Sequence, residues 1–218
     1  LRVVDLGRIA FSDALELQLR TREEVLGGAE STLFLLEHEP VYTLGANFHA
    51  ENLLVDEALL RGKGFDVVPA DRGGDITFHG PGQLVAYPVF DLQPLGRDLH
   101  KWIRQLEAVV LRLLDDLGFE GRRFPPNTGV WVQDEKVAAI GIKVSRWVST
   151  HGLAINCDND LSPFENIVPC GIAGYGVTSL SRVTGRSVSV REAKGHLVEA
   201  FAQEFGFDAE ASDFAASL

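Results

Sequence analysis

The chain has no methionine, only two cysteines, and no apolar run of the about eighteen residues that a membrane span requires. Each shortage excludes something. Cys157 and Cys170 are too few for a disulfide framework, and too few for a thiolate zinc cage without histidine ligands, so a reducing compartment is expected. The N-terminal stretch LRVVDLGRIAF lacks the basic region and long apolar core of a signal peptide. Together with the missing span, this makes a cytoplasmic location the expectation. Without an initiator methionine, residue 1 is expected to lie inside the natural N-terminus.

Positive charge is also scarce. Twenty Lys and Arg face 31 Asp and Glu, a formal net charge of -11, which argues against nucleic acid or an anionic membrane as the main partner. The deficit is uneven: residues 101–150 hold eight basic against six acidic residues, and the rest of the chain twelve against twenty-five. This one net-basic window could receive an acidic partner.

The remaining composition is that of an ordinary globular protein, 45% hydrophobic and 23% charged. A chain of 218 residues buries roughly 70% of its unfolded surface, and nothing in the composition forces a division, so one domain over residues 1–218 is expected. The segment LHKWIRQLEAVVLRLLDDLG repeats apolar residues at three and four, with Asp98 as N-cap and Gly118 as stop, and predicts an amphipathic helix. A second helix is expected after Ser12. A third opens with Ser189 and Glu192 at capping-box spacing and ends near Gly206, beyond which the small, acidic tail is expected to fray.

Between the helices lie β-rich runs: STLFLLEH, VYTLG, FDVVPA, QLVAYPVFDL, TGVWVQ, KVAAIGIKV, STHGLAINC and VTSLSRVTG. Several follow one another with only tight turns between them, which favours an α+β fold with a mixed, largely antiparallel sheet flanked by helices. VWVQ and KVAAI read as a hairpin turning at Asp134 and Glu135.

The loop DRGGDITFHGPGQ has the glycines of a phosphate cradle. It lacks the Lys and Ser or Thr of a Walker loop and leads into a strand, so no helix N-terminus faces it. Its glycines instead let backbone approach a ligand or a neighbouring strand. His79 has no HxH or HxxxH partner, so a metal role is disfavoured against a hydrogen bond to backbone or substrate.

Cys170 sits between Pro169 and Gly171 in a broken, accessible loop, whereas Cys157 ends an apolar run and suits a core. Cys170 is the better nucleophile, and it needs a nearby base or cation to become a thiolate. Lys136 and Lys143 compete for that role. Strict alternation puts Lys136 on one face with Ala138, Ile140, Ile142 and Val144, and Lys143 on the opposite face, which favours Lys136 weakly.

Taken together, RGGDITFHGPGQLVAYPVFDL, KVAAIGIKV, HGLAIN and NIVPCGI, in that order, resemble the lipoyl(octanoyl) transferases, from EHEPVYTLG near Glu37 to TSL near Leu180. The resemblance implies a fold shared with the catalytic domains of biotin and lipoate protein ligases. It implies an acyltransferase (EC 2.3.1.181) that moves an octanoyl group from octanoyl-acyl carrier protein to a lysine of lipoyl domains, through a cysteine thioester. Lipoyl domains of this kind are the glycine cleavage H protein and 2-oxoacid dehydrogenase E2 subunits, and the transfer is the first step of endogenous protein lipoylation.

By the same resemblance Cys170 is the nucleophile and Lys136 its activating partner. Substrate contacts fall on Arg72, Gly73, Gly74, Asp75, Ile76, Thr77, Phe78 and His79, on Ala139, Ile140 and Gly141, and on Gly152, Leu153 and Ala154. Lys143 is at most a supporting or docking charge, and Cys157 has no implied role. No cofactor, metal, nucleic acid or membrane is expected.

Thioester exchange is nearly balanced in energy and aminolysis is downhill, so the reaction needs no ATP. Backbone N–H groups near Cys170 and Gly171 could stabilise the oxyanion. Gly73, Gly74, Ala139, Gly141 and Ala154 suit an acyl slot, and Arg122, Arg123, Lys143 and Arg146, with Arg72, a docking surface for an acidic carrier. The rivals are an ATP-dependent lipoate ligase, a thiol hydrolase pairing Cys170 with His79 or His151, and a silent lipoyl-domain binding module.

Overall fold

The apolar runs Thr32–His38 and Gln83–Val89 become neighbouring strands buried along almost their whole length, because both faces of their sheet are covered. The structure is a computed structural model, and it describes residues 1–125, 127–168 and 175–208. Cys170, Gly171 and the tail from residue 209 lie outside the described residues, and so do the nucleophile, oxyanion and fraying expectations attached to them.

In chain order the strands are β1 (Arg2–Ile9), β2 (Thr32–His38), β3 (Val41–Leu44), β4 (Asp66–Pro69), β5 (Ile76–His79), β6 (Gln83–Val89), β7 (Arg122–Phe124), β8 (Asn127–Val132), β9 (Glu135–Ser145), β10 (Val148–Asn156) and β11 (Gly176–Val177). The helices are α1 (Phe11–Leu26), α2 (Glu57–Gly62), α3 (Leu99–Asp116), α4 (Leu180–Thr184) and α5 (Val190–Phe205).

The main sheet runs β1-β2-β6-β10-β9-β8-β7, with β11 paired to β9, and a smaller sheet runs β4-β3-β5. β1–β2, β3–β4 and β9–β11 pair parallel; the remaining ladders are antiparallel. This is the expected mixed, largely antiparallel α+β arrangement. Helices α3 and α5 cover one face of the main sheet. Trp102, Leu106, Val109, Val110, Leu113 and Leu114 of α3 are buried there against Leu33, Leu35, Ile140 and Ile155. Each such side chain contributes about 1.5–3 kcal/mol as an upper estimate. On the opposite face α1 packs Ala14 and Val25 against Phe34, Val85, Tyr87 and Ala154.

Local signals account for most helix ends. The Asp98 carboxylate accepts from the N–H groups of His100 and Lys101, and Gly118 follows α3 at φ 83°. Ser189 caps α5 through the N–H of Glu192, but the Glu192 carboxylate pairs with Arg186, so the capping box is half made. α1 begins at Phe11 without a side-chain cap, and the Ser12 hydroxyl turns to Asp13. The run VTSLSRVTG is mostly not a strand: Ser179 caps α4, and Gly185 ends it in the left-handed region. The short α2, capped by Asp56, has no counterpart among the expected helices.

The β8–β9 hairpin turns at Gln133 and Asp134, one residue earlier than expected. Val132 pairs with Glu135, and Gln133 takes φ 52° with no glycine present. Among the described residues no helix is long and apolar enough to cross a membrane.

Candidate active site

The site is built on β9, and a break in its alternation decides which way Lys136 points. Val130 pairs with Ala138 but Trp131 pairs with Lys136, so β9 carries one extra residue, a β-bulge at Val137. Beyond the bulge, Ala138, Ile140, Ile142 and Val144 face the helices. Lys136 lies on the other side, lining a cavity with Ala139 and Gly141. The expectation from strict alternation is therefore corrected. Lys136 does not share the apolar face, and Lys143 lies on the cavity side too, close enough to Asp71 and His151 to act on both electrostatically.

Lys136 is only 5% exposed. Its Nζ lies 5.0 Å from the centre of the Trp131 ring, within range of the attraction between an ammonium and an aromatic face. Room for the stem comes from Gly129 at φ 122°, where a Cβ would stand 3.4 Å from Lys136 Cε and 2.6 Å from the Ala138 carbonyl oxygen. The Gly129 N–H is held in turn by the buried Glu107 carboxylate of α3, at 3.3 Å.

The cavity has a volume of about 380 Å³. It gathers residues 72–77 with His79, residues 139–141 and residues 152–154, three segments that sequence reading had set apart. Phe78 is not among its walls. Its ring packs into a cluster with Tyr42, Phe65 and Phe164. Asn47, Tyr87, Asn127, Thr128 and His151 also line the cavity. Of these, Tyr87 shares a β6 face with Val85 and Val89, a period-two signal that pointed to the α1 side.

The Arg72–Asp75 loop is fixed at both ends. Arg72 donates from Nε and Nη2 to Thr43 Oγ1, at 3.1 and 2.7 Å, and from Nη2 to the Thr43 carbonyl oxygen at 2.7 Å. The Asp75 carboxylate accepts from Asn52 Nδ2 at 2.7 Å, from the Ile76 N–H at 2.8 Å, and pairs with His49 Nδ1 at 3.0 Å. Burial disfavours its charged form, but the bonds from His49 and Asn52 outweigh that and hold the carboxyl below its ordinary range.

A layer of rings lies at and beneath the cavity, with His79, Tyr87 and His151 among its walls and His38 behind them. His38 Nε2 and the Tyr87 hydroxyl are 2.8 Å apart, His79 Nδ1 and Gln83 Oε1 2.7 Å, and His151 Nε2 and Asp71 Oδ1 2.7 Å. Burial lowers all three histidines: His38 to about 4, His79 well below its usual value, and His151 in spite of the Asp71 carboxylate. These rings are neutral in the fold, while the unfolded chain titrates near 6.5. The unfolded state therefore binds more protons below that pH, and stability is full above about 6.5 and falls as pH drops toward 4. His38, lowered to about 4, should contribute to the decline across that window. Urea midpoints measured from pH 7 to 4.5 should show the decline, and His38→Gln should make it shallower; parallel curves would rule His38 out as a source.

Cys157 is fully buried in the main core, its thiol pushed up to about 12 by burial and lying 3.6 Å from the Ile155 carbonyl oxygen. It is a core residue. Of the five cations expected to dock a carrier, Arg122 pairs with Asp134, Arg123 with Glu107 and Arg146 with Glu23, and Arg72 is bonded to Thr43.

The mixed sheet flanked by helices is a fold shared with lipoate protein ligases. The crystal structure of lipoate-protein ligase A bound with ATP superposes with a TM-score of 0.77 at 17% identity, over 95% of this chain and 86% of that one, a likeness of fold. The chain belongs to the lipoyl protein ligase A/B catalytic domain family, whose model matches residues 10–202. An octanoyltransferase of Rubrobacter xylanophilus is 48% identical over 203 residues, covering 92% of this chain and 91% of that protein. The mitochondrial octanoyl-[acyl-carrier-protein]:protein N-octanoyltransferase of Xenopus tropicalis is 46% identical over 212 residues, covering 94% and 87%.

Proposed function

We propose that residues 1–218 form one octanoyltransferase domain that takes an octanoyl group from its acyl carrier protein thioester and delivers it to a lysine of a lipoyl domain. The observation that carries this reading is Lys136, turned by the β9 bulge into a slot built from the three segments of the family motif. The names of relatives near 46–48% identity support transfer over ATP-dependent ligation, for which the likeness is one of fold at 17%.

In this mechanism Cys170 is the nucleophile. Val177, seven residues beyond it, pairs with Lys136, and Val168, two residues before it, donates to the Asn52 carbonyl oxygen, so both flanks of the cysteine are tied to the site. Lys136 Nζ accepts the Cys170 thiol proton, and the Trp131 face stabilises the ammonium so formed. The thiolate attacks the thioester carbonyl. The tetrahedral intermediate then expels the carrier thiolate, which takes the proton from Lys136. In the second half the acceptor amine attacks the octanoyl-Cys170 thioester. Cys170 leaves as thiolate, and the proton lost by the amine returns to it through Lys136. The acyl chain lies along the small residues Ala139, Gly141 and Ala154, gaining about 0.8 kcal/mol per buried CH₂.

The test is an assay with octanoyl carrier, a lipoyl domain and no ATP. An octanoyl amide on the acceptor lysine is expected. A requirement for ATP and free octanoate would make the chain a ligase, and net thioester hydrolysis would make it a thiol hydrolase.

A further inference from the structure

The cavity follows the β6–β10–β9 strip, and its two ends differ. Near Lys136, a small recess lined by Gln83 and Asn156 shares the Ala139 and Ala154 walls. Four residues further along β6, about 13 Å at the rise of a strand, Tyr87 lines the other end. The pairs Leu153↔Ala86 and Gly152↔Gly141 set Tyr87 one step on, level with the two glycines.

The glycine loop crosses the sheet at that level. A Cβ on Gly141 would stand 2.9 Å from the Gly73 carbonyl oxygen and 3.2 Å from Arg72 Cδ, so the loop rests directly on the strand and closes the slot from above. Arg72 is pinned there by Thr43. Tyr87 closes the same end from within the sheet. It is 4% exposed, and its hydroxyl is engaged by His38, which is not a cavity wall, so the ring surface is what a ligand meets. Behind that ring is His38, at a centroid distance of 5.7 Å, while His151, at 6.0 Å, lines the cavity beside it.

We infer that Tyr87 is the end stop of the acyl slot and fixes the longest linear acyl chain the protein accepts. The inference rests on the acyl-slot reading above. Shortening this side chain lengthens the slot toward His38; adding bulk shortens it. Each methylene that gains or loses an apolar place changes affinity about fourfold.

The experiment compares kcat/KM for octanoyl and dodecanoyl carrier thioesters in the wild type, Tyr87→Leu and Tyr87→Phe. The dodecanoyl-to-octanoyl ratio should rise about tenfold or more in the leucine variant. It should stay within about twofold of wild type in the phenylalanine variant, which keeps the wall and loses only the bond to His38. Equal ratios in all three proteins, or a phenylalanine shift as large as the leucine one, would overturn the inference.

If Tyr87→Leu does not fold, Tyr87→Trp serves in the opposite direction, and the octanoyl-to-hexanoyl ratio should fall about tenfold; an unchanged ratio counts against the end stop. Absence of any octanoyl transfer by the wild type would instead remove the transferase reading. Calorimetric binding of free octanoic and dodecanoic acids to the same variants would then still decide the position of the wall, by the same tenfold shift or its absence.

Discussion

Lys136→Met should lower octanoyl transfer about 10²- to 10⁴-fold, the range associated with removing a positioned proton-transfer group. The expectation follows from where the bulge puts the side chain. Lys136 is buried on the cavity side, its stem lies over Gly129 and its Nζ over Trp131. Methionine fills similar space without the amine, so the fold should hold and the loss should appear in kcat. Lys136→Arg should not restore activity, because guanidinium stays protonated and cannot accept the thiol proton. Single-turnover acylation rates with matched thermal unfolding curves check this. Near-wild-type acylation in a folded Lys136→Met protein would remove Lys136 from the chemistry.

The largest expected effect on stability belongs to Gly152→Ala. Gly152 lies inside β10, facing Gly141 on one side and β6 on the other. A Cβ there would stand 2.2 Å from the Ala86 carbonyl oxygen and 2.6 Å from Pro88 Cδ. Neither is the free end of a flexible side chain, so β6 and β10 must separate. Overpacking of this kind costs about 1–3 kcal/mol, or more where backbone is displaced. The displaced strands carry Tyr87, Leu153 and Ala154, so transfer should fall with stability.

Gly195→Ala is the control. Gly195 sits in α5 with nothing within 4 Å of its would-be Cβ, and alanine there should stabilise by about 0.4–1 kcal/mol. Urea unfolding of both variants separates close packing from the general effect of replacing glycine.

How far the sequence carried can be judged element by element. α3 and α5 were readable because cap, apolar period and glycine stop agree at Asp98 and Gly118, and at Ser189 and Gly206. The run VTSLSRVTG was misread because its valines and threonines favour strands, while the Ser179 cap and Gly185 stop, which decide the outcome, fit within one short turn of helix.

The cavity segments were identified through family motifs rather than periodicity, and alternation alone could not single out Phe78, because Ile76 on the same β5 face lines the cavity. The face of Lys136 could not be read at all, because a bulge depends on the partner strand and leaves no mark in KVAAIGIKV. His38 was equally hidden. Its neutrality comes from burial against Tyr87, Phe11 and His79, residues distant in sequence.

The most direct single measurement is intact-protein mass spectrometry after brief incubation with octanoyl carrier, without ATP or acceptor. One octanoyl adduct is expected on the wild type and on Cys157→Ser, absent from Cys170→Ser, and discharged when a lipoyl domain is added. An adduct that persists in Cys170→Ser and disappears in Cys157→Ser would contradict the assignment of the acyl-enzyme to Cys170.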